Sequence, residues 1–127
     1  FSASGEPILV QSPCYIGFIH TLNNLGRKII DSPLKKADNW AMDYEDIEKK
    51  IIKHNIHFAI FCSPHNPTGR VWKKEEIQKF MDICKKHDVL VGSLTLAHSR
   101  NSQMSFMYGF FFVKFLFFTV VCVVIVI

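Results

Sequence analysis

The chain has 127 residues, of which 49% are hydrophobic and 20% charged, and its formal net charge at pH 7 is +4. This composition excludes a disordered polar chain and a collagen-like repeat. The lysines occur as scattered doublets, which is typical of a solvated surface and not of a nucleic-acid-binding patch.

The four cysteines form no C-x-x-C pair and lie in apolar stretches of the sequence. This spacing favours neither a zinc site nor a disulfide framework. We therefore expect reduced, buried thiols in an intracellular, cytoplasmic protein without a bound metal.

Two segments of different composition make up the chain. All 11 acidic residues lie at or before Asp88, whereas the stretch from Phe106 to Ile127 contains a single charge, that of Lys114. Most of the 12 phenylalanines also lie in this last stretch. We therefore divide the sequence into an α/β segment over residues 1–93, a divergent linker over residues 94–105 and a hydrophobic tail over residues 106–127.

Strands and helices alternate through the first segment. Four short apolar runs predict β-strands, at residues 7–11, 28–31, 58–62 and 89–93. Helical spacing of apolar residues predicts a helix in each intervening stretch, and the clearest helix has a regular apolar face made of Ile77, Phe80, Met81 and Cys84. Asp43 has the side chain of a helix N-cap, so it is expected to begin the helix that precedes the third strand.

Strands separated by helices of this length pair in parallel through right-handed crossovers. The predicted fold class is therefore α/β, with three layers in which a parallel sheet lies between helices. Ligands of such sheets bind beyond the carboxyl ends of the strands. This rule indicates a candidate site at the loops that begin near Ser12 and Ser63.

The loop after the third strand has the sequence S-P-H-N-P-T-G-R-V-W, from Ser63 to Trp72. Its prolines and glycine predict a rigid turn, which on pattern alone can be purely structural. This sequence closely resembles the asparagine loop of pyridoxal-phosphate enzymes of the aspartate aminotransferase fold. It is most similar to the cystathionine β-lyase branch of the class I/II aminotransferases, known as the MalY/PatB type.

Three further stretches carry the resemblance in the expected order. They are I-L-V-Q-S-P-C-Y-I-G-F at Ile8 to Phe18, A-D-N-W-A-M-D-Y-E-D-I-E at Ala37 to Glu48, and E-E-I-Q-K-F-M-D-I-C-K-K-H at Glu75 to His87. The similarity covers Phe1 to Ser93 and only part of the family's large cofactor-binding domain. It implies a partial large domain of the aspartate aminotransferase fold.

Two cofactor contacts are implied by this resemblance. Tyr15 matches the aromatic residue that stacks on the pyridine ring of pyridoxal 5'-phosphate, and Asn66 matches the asparagine that binds the phenolic oxygen of the cofactor. The structural alternatives are an aromatic core residue for Tyr15 and an Asx turn for Asn66. The resemblance gives His65 and Arg70 no contact with the cofactor, and Trp72 is expected to pack beneath the loop.

The resemblance fails after the fourth strand. Family members have an aspartate there that pairs with the pyridinium nitrogen, but this chain has Leu94 at that position. Lys114 lacks the serine-rich lead-in of the family's catalytic lysine, and we do not accept it as that residue. We therefore expect a fragment of a carbon-sulfur β-lyase or of an aminotransferase. This chain alone is expected to have no catalytic residue and no activity. Full-length relatives are expected to act on amino acids as homodimers.

The hydrophobic tail has two interpretations. It is long enough for a transmembrane helix, which would make the chain a non-catalytic, membrane-anchored or interaction protein that reuses the α/β segment. The interpretation that we favour is a translation or splicing artefact, because the family pattern stops abruptly at Ser93. A transcript that reads from Ser93 into Asp-Glu-Ile-His would favour the enzyme, and one that retains the tail would favour the membrane-anchored protein.

The proline after Asn66 also predicts a backbone geometry. A side chain that leaves a strand and turns back over the edge of the sheet needs a sharp reversal, and a cis peptide provides one at a small cost only before proline. We therefore expect Asn66-Pro67 to be cis, and Ser12-Pro13 as well.

Overall fold

Strands and helices alternate along the chain in the computed structural model, which describes residues 3–95 and 122–126. The strands are β1 (Pro7–Val10), β2 (Lys28–Asp31), β3 (Phe58–Ser63), β4 (Leu90–Thr95) and β5 (Cys122–Val126). The helices are α1 (Ile16–Asn24), α2 (Tyr44–His54) and α3 (Lys74–Lys86), and a short 3-10 helix spans Lys36–Asp38. The strands and helices predicted within residues 1–93 are confirmed, and the ends of the strands shift by no more than two residues.

The five strands form one sheet in the order β2-β1-β3-β4-β5. β1 pairs in parallel with β2 on one side and with β3 on the other, and β3 pairs in parallel with β4. In contrast, β5 runs antiparallel to β4. The connections from β1 to β2 and from β2 to β3 contain α1 and α2, as parallel pairing requires.

Helices cover both faces of the sheet. Because successive residues of a strand point to opposite faces, Leu9 of β1 packs into a core with α2 and α3, whereas Ile8 and Val10 pack with Leu22 of α1. The larger core also contains Phe80, which is fully buried and stacked on Phe61 with a centroid distance of 5.4 Å. The predicted three-layer α/β/α arrangement is thus confirmed.

The ends of the helices follow from local chemistry. The carboxylate of Asp43 accepts a hydrogen bond of 3.2 Å from the backbone N–H of Asp46, which confirms Asp43 as the N-cap of α2. Asn55 ends that helix in the left-handed conformation, with φ of 50°. At the start of α3, Glu76 accepts a hydrogen bond of 2.8 Å from the N–H of Lys73, so the backbone donors at this terminus are partly satisfied.

The end of the hydrophobic tail differs from the helix that one interpretation assigned to it. Cys122–Val126 form β5, which pairs with Val91 to Thr95 of β4. β-Branched valine and isoleucine favour strands, and the outer edge of β4 supplies the hydrogen-bonding partners that such a strand needs. Residues 96–121 and 127 lie outside the described residues, so the limits of the linker and tail stay predictions. No helix in residues 3–95 and 122–126 has the length and apolar content needed to cross a membrane.

The peptide bonds before three prolines are cis. Two of them, Ser12-Pro13 and Asn66-Pro67, confirm the geometry expected from the sequence. The third, Ser63-Pro64, was not predicted. All three lie in the loops that follow β1 and β3.

We expect Phe80→Ala to destabilise the fold severely, because the ring is fully buried between the sheet and α3. The removal of a phenylalanine side chain from a core costs about 3 to 5 kcal/mol. The free energy of unfolding in urea measures the effect. Ile52→Ala is the matched control, since Ile52 is 63% exposed on α2, and we expect a change within about 0.5 kcal/mol. Equal losses in the two variants would contradict the described core.

Candidate functional site

The chain leaves two neighbouring strands toward opposite faces of the sheet. After β1 it enters α1, which packs on the face of Ile8 and Val10, and after β3 it continues to α3, which packs on the face of Leu9. β1 and β3 lie side by side. Their carboxyl ends therefore flank a topological switch point, the position at which open α/β sheets form a ligand crevice.

A small cleft, open to solvent, lies at this switch point. The loop after β1 and the end of that strand contribute Gln11, Cys14 and Tyr15 to its lining. The end of β3 and the following loop contribute Cys62, His65 and Asn66. The two residues singled out from the sequence, Tyr15 and Asn66, therefore lie in the same cleft, although 50 residues separate them along the chain.

Tyr15 occupies the N-cap position of α1 and is 42% exposed. Its ring lies edge-on to the ring of Phe18, at a centroid distance of 5.6 Å and an interplanar angle of 89°. Gly17 leaves space for this ring, because a Cβ atom at Gly17 would lie 2.9 Å from Cζ of Tyr15 and closer still to Cε1. The ring is thus not the buried core residue of the structural alternative.

A carboxylate holds the loop that carries Tyr15. Asp31, at the end of β2, accepts hydrogen bonds from the backbone N–H of Ser12 at 2.9 Å and from its hydroxyl at 2.7 Å. The carbonyl of Ser12 in turn accepts a hydrogen bond of 2.8 Å from the N–H of Leu34. Both the backbone and the side chain of Ser12 are thereby fixed to the adjacent strand, which fixes the direction in which the chain enters α1.

The loop that carries Asn66 rests on Trp72. The indole N–H donates a hydrogen bond of 2.9 Å to the carbonyl of Cys62, and the side chain is only 4% exposed. This confirms that Trp72 packs beneath the loop. Arg70 donates to Glu76 and to the carbonyl of Asn39, and its guanidinium lies 4.8 Å from the centre of the Trp72 ring. Arg70 therefore stabilises the loop from the side away from the cleft.

The cleft is lined by groups that stay uncharged at neutral pH. Burial raises the pKa of the Cys14 thiol to about 11 and also raises the pKa of Cys62. Burial lowers the pKa of His65, whose imidazole is therefore neutral. Such a site can stack a flat ring and donate neutral hydrogen bonds, but it presents no activated nucleophile. No group of three potential metal ligands occurs among residues 3–95 and 122–126.

Sequence reasoning did not identify the contribution of His65 and Gln11 to the lining. Both side chains are buried, with 3% and 4% of their surface exposed, respectively. A polar residue at the end of a continuous apolar strand was the available signal for Gln11, because such residues are seldom buried without a partner. The signal for His65 was its position directly beside Asn66.

Comparison with known proteins agrees with this geometry. The sequence profile described as aminotransferase class I and II matches residues 1–93. The chain is 38% identical over 94 residues to the cystathionine β-lyase PatB of Bacillus subtilis, with 73% of this chain and 24% of PatB covered. It is 33% identical over 92 residues to the protein MalY of Escherichia coli, with coverage of 72% and 24%.

A solved structure extends the agreement to the fold. Cystalysin from Treponema denticola, whose structure contains a pyridoxal 5'-phosphate cofactor, superposes with a TM-score of 0.69 at 39% identity. The match covers 73% of this chain and 24% of cystalysin, so the chain spans about a quarter of the length of these relatives. The switch-point cleft, the matched profile and these relatives together show that the chain belongs to the class I and II aminotransferase family, in the branch that contains PatB and MalY.

Proposed function

We propose that the chain is the part of a pyridoxal-phosphate-dependent enzyme that contacts the pyridine ring of the cofactor. The complete enzyme would be a carbon-sulfur β-lyase that acts on a cystathionine-like amino acid, or an aminotransferase. The single observation that carries this proposal is the presence of Tyr15 and Asn66 in one cleft at the switch point of the sheet. The identity of PatB as a cystathionine β-lyase and the cofactor in cystalysin support it.

The donor set of the cleft fits the proposed cofactor. The exposed ring of Tyr15 offers a flat π face on which a pyridine ring can stack. Asn66 offers an amide N–H for the phenolic oxygen, and an uncharged donor stabilises that oxygen without neutralising its charge. When bound, the cofactor supplies an electron sink that stabilises a carbanion on the amino-acid substrate.

The remaining lining would keep the ring in a neutral environment. Val10 and Ile60 contribute apolar surface beside the polar groups, and the thiols of Cys14 and Cys62 stay protonated because burial raises their pKa values. These groups would exclude water from one side of the pyridine ring. The protonated thiols would not react with the cofactor as nucleophiles. In this proposal, the described residues orient the cofactor and do not carry out proton transfer.

We infer that the chain by itself is inactive. Leu94 stands near the carboxyl end of β4, in register with Cys62, where the family resemblance calls for an aspartate. A leucine cannot hold a proton on the pyridine nitrogen, so the ring would be a weaker electron sink. Lys114 lies outside the described residues, and we do not assign it as the catalytic lysine, because it lacks the serine-rich lead-in. The alternative of a non-catalytic, membrane-anchored protein has no support among the described residues or the relatives.

The substrate class, assembly and location follow from the same proposal. An amino acid is the substrate that this cofactor chemistry requires, and we propose a homodimer for the full-length enzyme. Cys14, Cys62 and Cys84 are free thiols, which supports a reducing compartment such as the cytoplasm.

The first test uses pyridoxamine 5'-phosphate, which has the ring and phenolic oxygen of the cofactor but no aldehyde to react with surface lysines. We expect Asn66→Ala to weaken its binding roughly two- to tenfold, the effect of one neutral hydrogen bond. Chemical-shift titration of the 127-residue chain measures the affinity. Asn23→Ala, on the exposed surface of α1, is the matched control and should bind as the parent chain does. Equal affinity of Asn66→Ala and the parent would refute the role of Asn66.

The second test displaces the ring of Tyr15 without removing it. Gly17→Ala should push the ring aside, because the new Cβ overlaps it. We expect roughly two- to tenfold weaker binding of pyridoxamine 5'-phosphate, the value of one aromatic contact. Thermal stability should be maintained, since alanine favours helices over glycine. Tyr15→Phe keeps the ring and should keep the affinity, and a loss in that variant equal to the loss in Gly17→Ala would argue against stacking.

The third test addresses the inferred inactivity. Incubation with pyridoxal 5'-phosphate followed by borohydride should give only sparse labelling spread over surface lysines, because no lysine among residues 3–95 and 122–126 lines the cleft. Peptide mass spectrometry locates the modified residues. Stoichiometric labelling of Lys114 would show that the tail does supply a catalytic lysine and would overturn the inference.

A further inference from the structure

His65 is a buried polar residue to which the proposed function gives no role. It is 3% exposed, lines the cleft and immediately precedes Asn66. Histidine is seldom so fully buried, and a buried imidazole is stabilised only where its nitrogens have partners. Its neighbours therefore indicate what it does.

The imidazole bridges the two loops that form the cleft. Its Nδ1 lies 3.0 Å from the hydroxyl of Thr68 in its own loop. Gln11, directly after β1, lines the same cleft, and its backbone contacts the ring. The ring also packs edge-on against Trp72, at 5.7 Å between centroids and 76° between planes. One side chain thus connects the loop of Asn66 to the strand that leads to Tyr15.

The backbone of His65 closes the same loop. Its N–H donates to the carbonyl of Arg70 at 2.7 Å, and its carbonyl accepts from the N–H of Gly69 at 2.6 Å. The hydroxyl of Thr68 also accepts from the N–H of Arg70 at 3.3 Å. Main-chain and side-chain hydrogen bonds therefore fix the residue directly before Asn66, which lines the cleft.

We propose that His65 is a positioning residue that holds Asn66 in the cleft and that it acts as an uncharged imidazole. This inference rests on the proposed function for its catalytic meaning, because Asn66 would be the residue that binds the phenolic oxygen of the cofactor. The placement itself is a property of the chain and can be measured without the cofactor.

The surroundings disfavour a proton on both ring nitrogens. Titratable or charged groups around the cleft and its loops are Cys14, Tyr15, Asp31, Cys62, Arg70 and Glu76. Each carboxylate in this set already has a partner, since Asp31 accepts from Ser12 and Glu76 pairs with Arg70. Burial lowers the pKa of His65 by more than the hydrogen bond with the Gln11 backbone raises it.

The pH dependence has a defined sign. Because burial lowers the pKa of His65 in the folded chain, the unfolded chain takes up this proton more readily than the folded chain does. The stability contributed by the neutral His65 side chain is therefore complete above the ordinary histidine pKa of about 6.5. It is lost as the pH falls toward the pKa of His65 in the folded chain. Protonation of the folded chain should release the loop before the core unfolds.

The test follows nuclear Overhauser effects from the side-chain amide of Asn66 to the other cleft-lining side chains in the 127-residue chain. The titration of the His65 ring is followed in the same samples, and circular dichroism checks that the chain stays folded. We expect these contacts at neutral pH and their loss as the His65 ring becomes protonated. His65→Asn keeps an uncharged polar atom near Thr68, so it should retain the contacts over the whole pH range.

Two variants remove the interaction itself. His65→Phe fills the same space without polar atoms, and Thr68→Val removes the hydroxyl partner, so both should lose the Asn66 contacts at neutral pH. Contacts that persist in Thr68→Val, or in the wild-type chain after His65 is protonated, would overturn the proposal even if His65→Phe fails to fold. Failure of the proposed function is distinct, because pyridoxamine 5'-phosphate would then leave the Asn66 resonances unchanged while the contacts still follow the state of His65.

Discussion

Parallel pairing of β1 with β2 on one edge and with β3 on the other determines where a ligand can bind to this chain. The helix after β1 must return to β2 over one face, and the connection from β2 to β3 must cross β1 over the other face. The two loops at the carboxyl ends of β1 and β3 therefore diverge and leave a cleft between them. Tyr15 and Asn66 reach the same space because each lies within the loop that its strand begins.

Neutral hydrogen bonds, and not ion pairs, shape the interior of this cleft. The carboxylate of Asp31 accepts a hydrogen bond from Ser12, outside the lining. Arg70 forms an ion pair with Glu76 behind Trp72. Inside the cleft there remain two amides, a phenol, two protonated thiols and a neutral imidazole. In the proposed function this lining would stack the pyridine ring and bind its phenolic oxygen, but the carboxylate expected beside the ring nitrogen is replaced by Leu94.

The parts of the fold that depend on nearby residues were predictable from the sequence. Asp43 caps α2 through a residue three positions away, and the apolar face of α3 repeats with the period of a helix. The convergence of Tyr15 and Asn66 needed two further inputs, the rule for parallel sheets and the family resemblance. The bridge made by His65 was not predictable, because its partner Gln11 directly follows β1, more than 50 positions away, and the contact exists only after the sheet has formed.

The structure at the end of the hydrophobic tail could not be predicted from the local sequence. Its hydrophobic length alone suggested a membrane helix, but length does not distinguish a helix from a strand when an unpaired sheet edge is available. The pairing of β5 with β4 uses five residues that are rich in β-branched side chains. The spacing and composition of hydrophobic residues can be read from the sequence. An unpaired strand edge exists only once the sheet has assembled.

The most direct test of the central claim is a crystal structure of the chain soaked with pyridoxamine 5'-phosphate. We predict a pyridine ring in the switch-point cleft, stacked on Tyr15, with its phenolic oxygen within hydrogen-bonding distance of the Asn66 amide. A ring bound elsewhere on the chain, or a cleft that stays without a ring at saturating ligand, would contradict it.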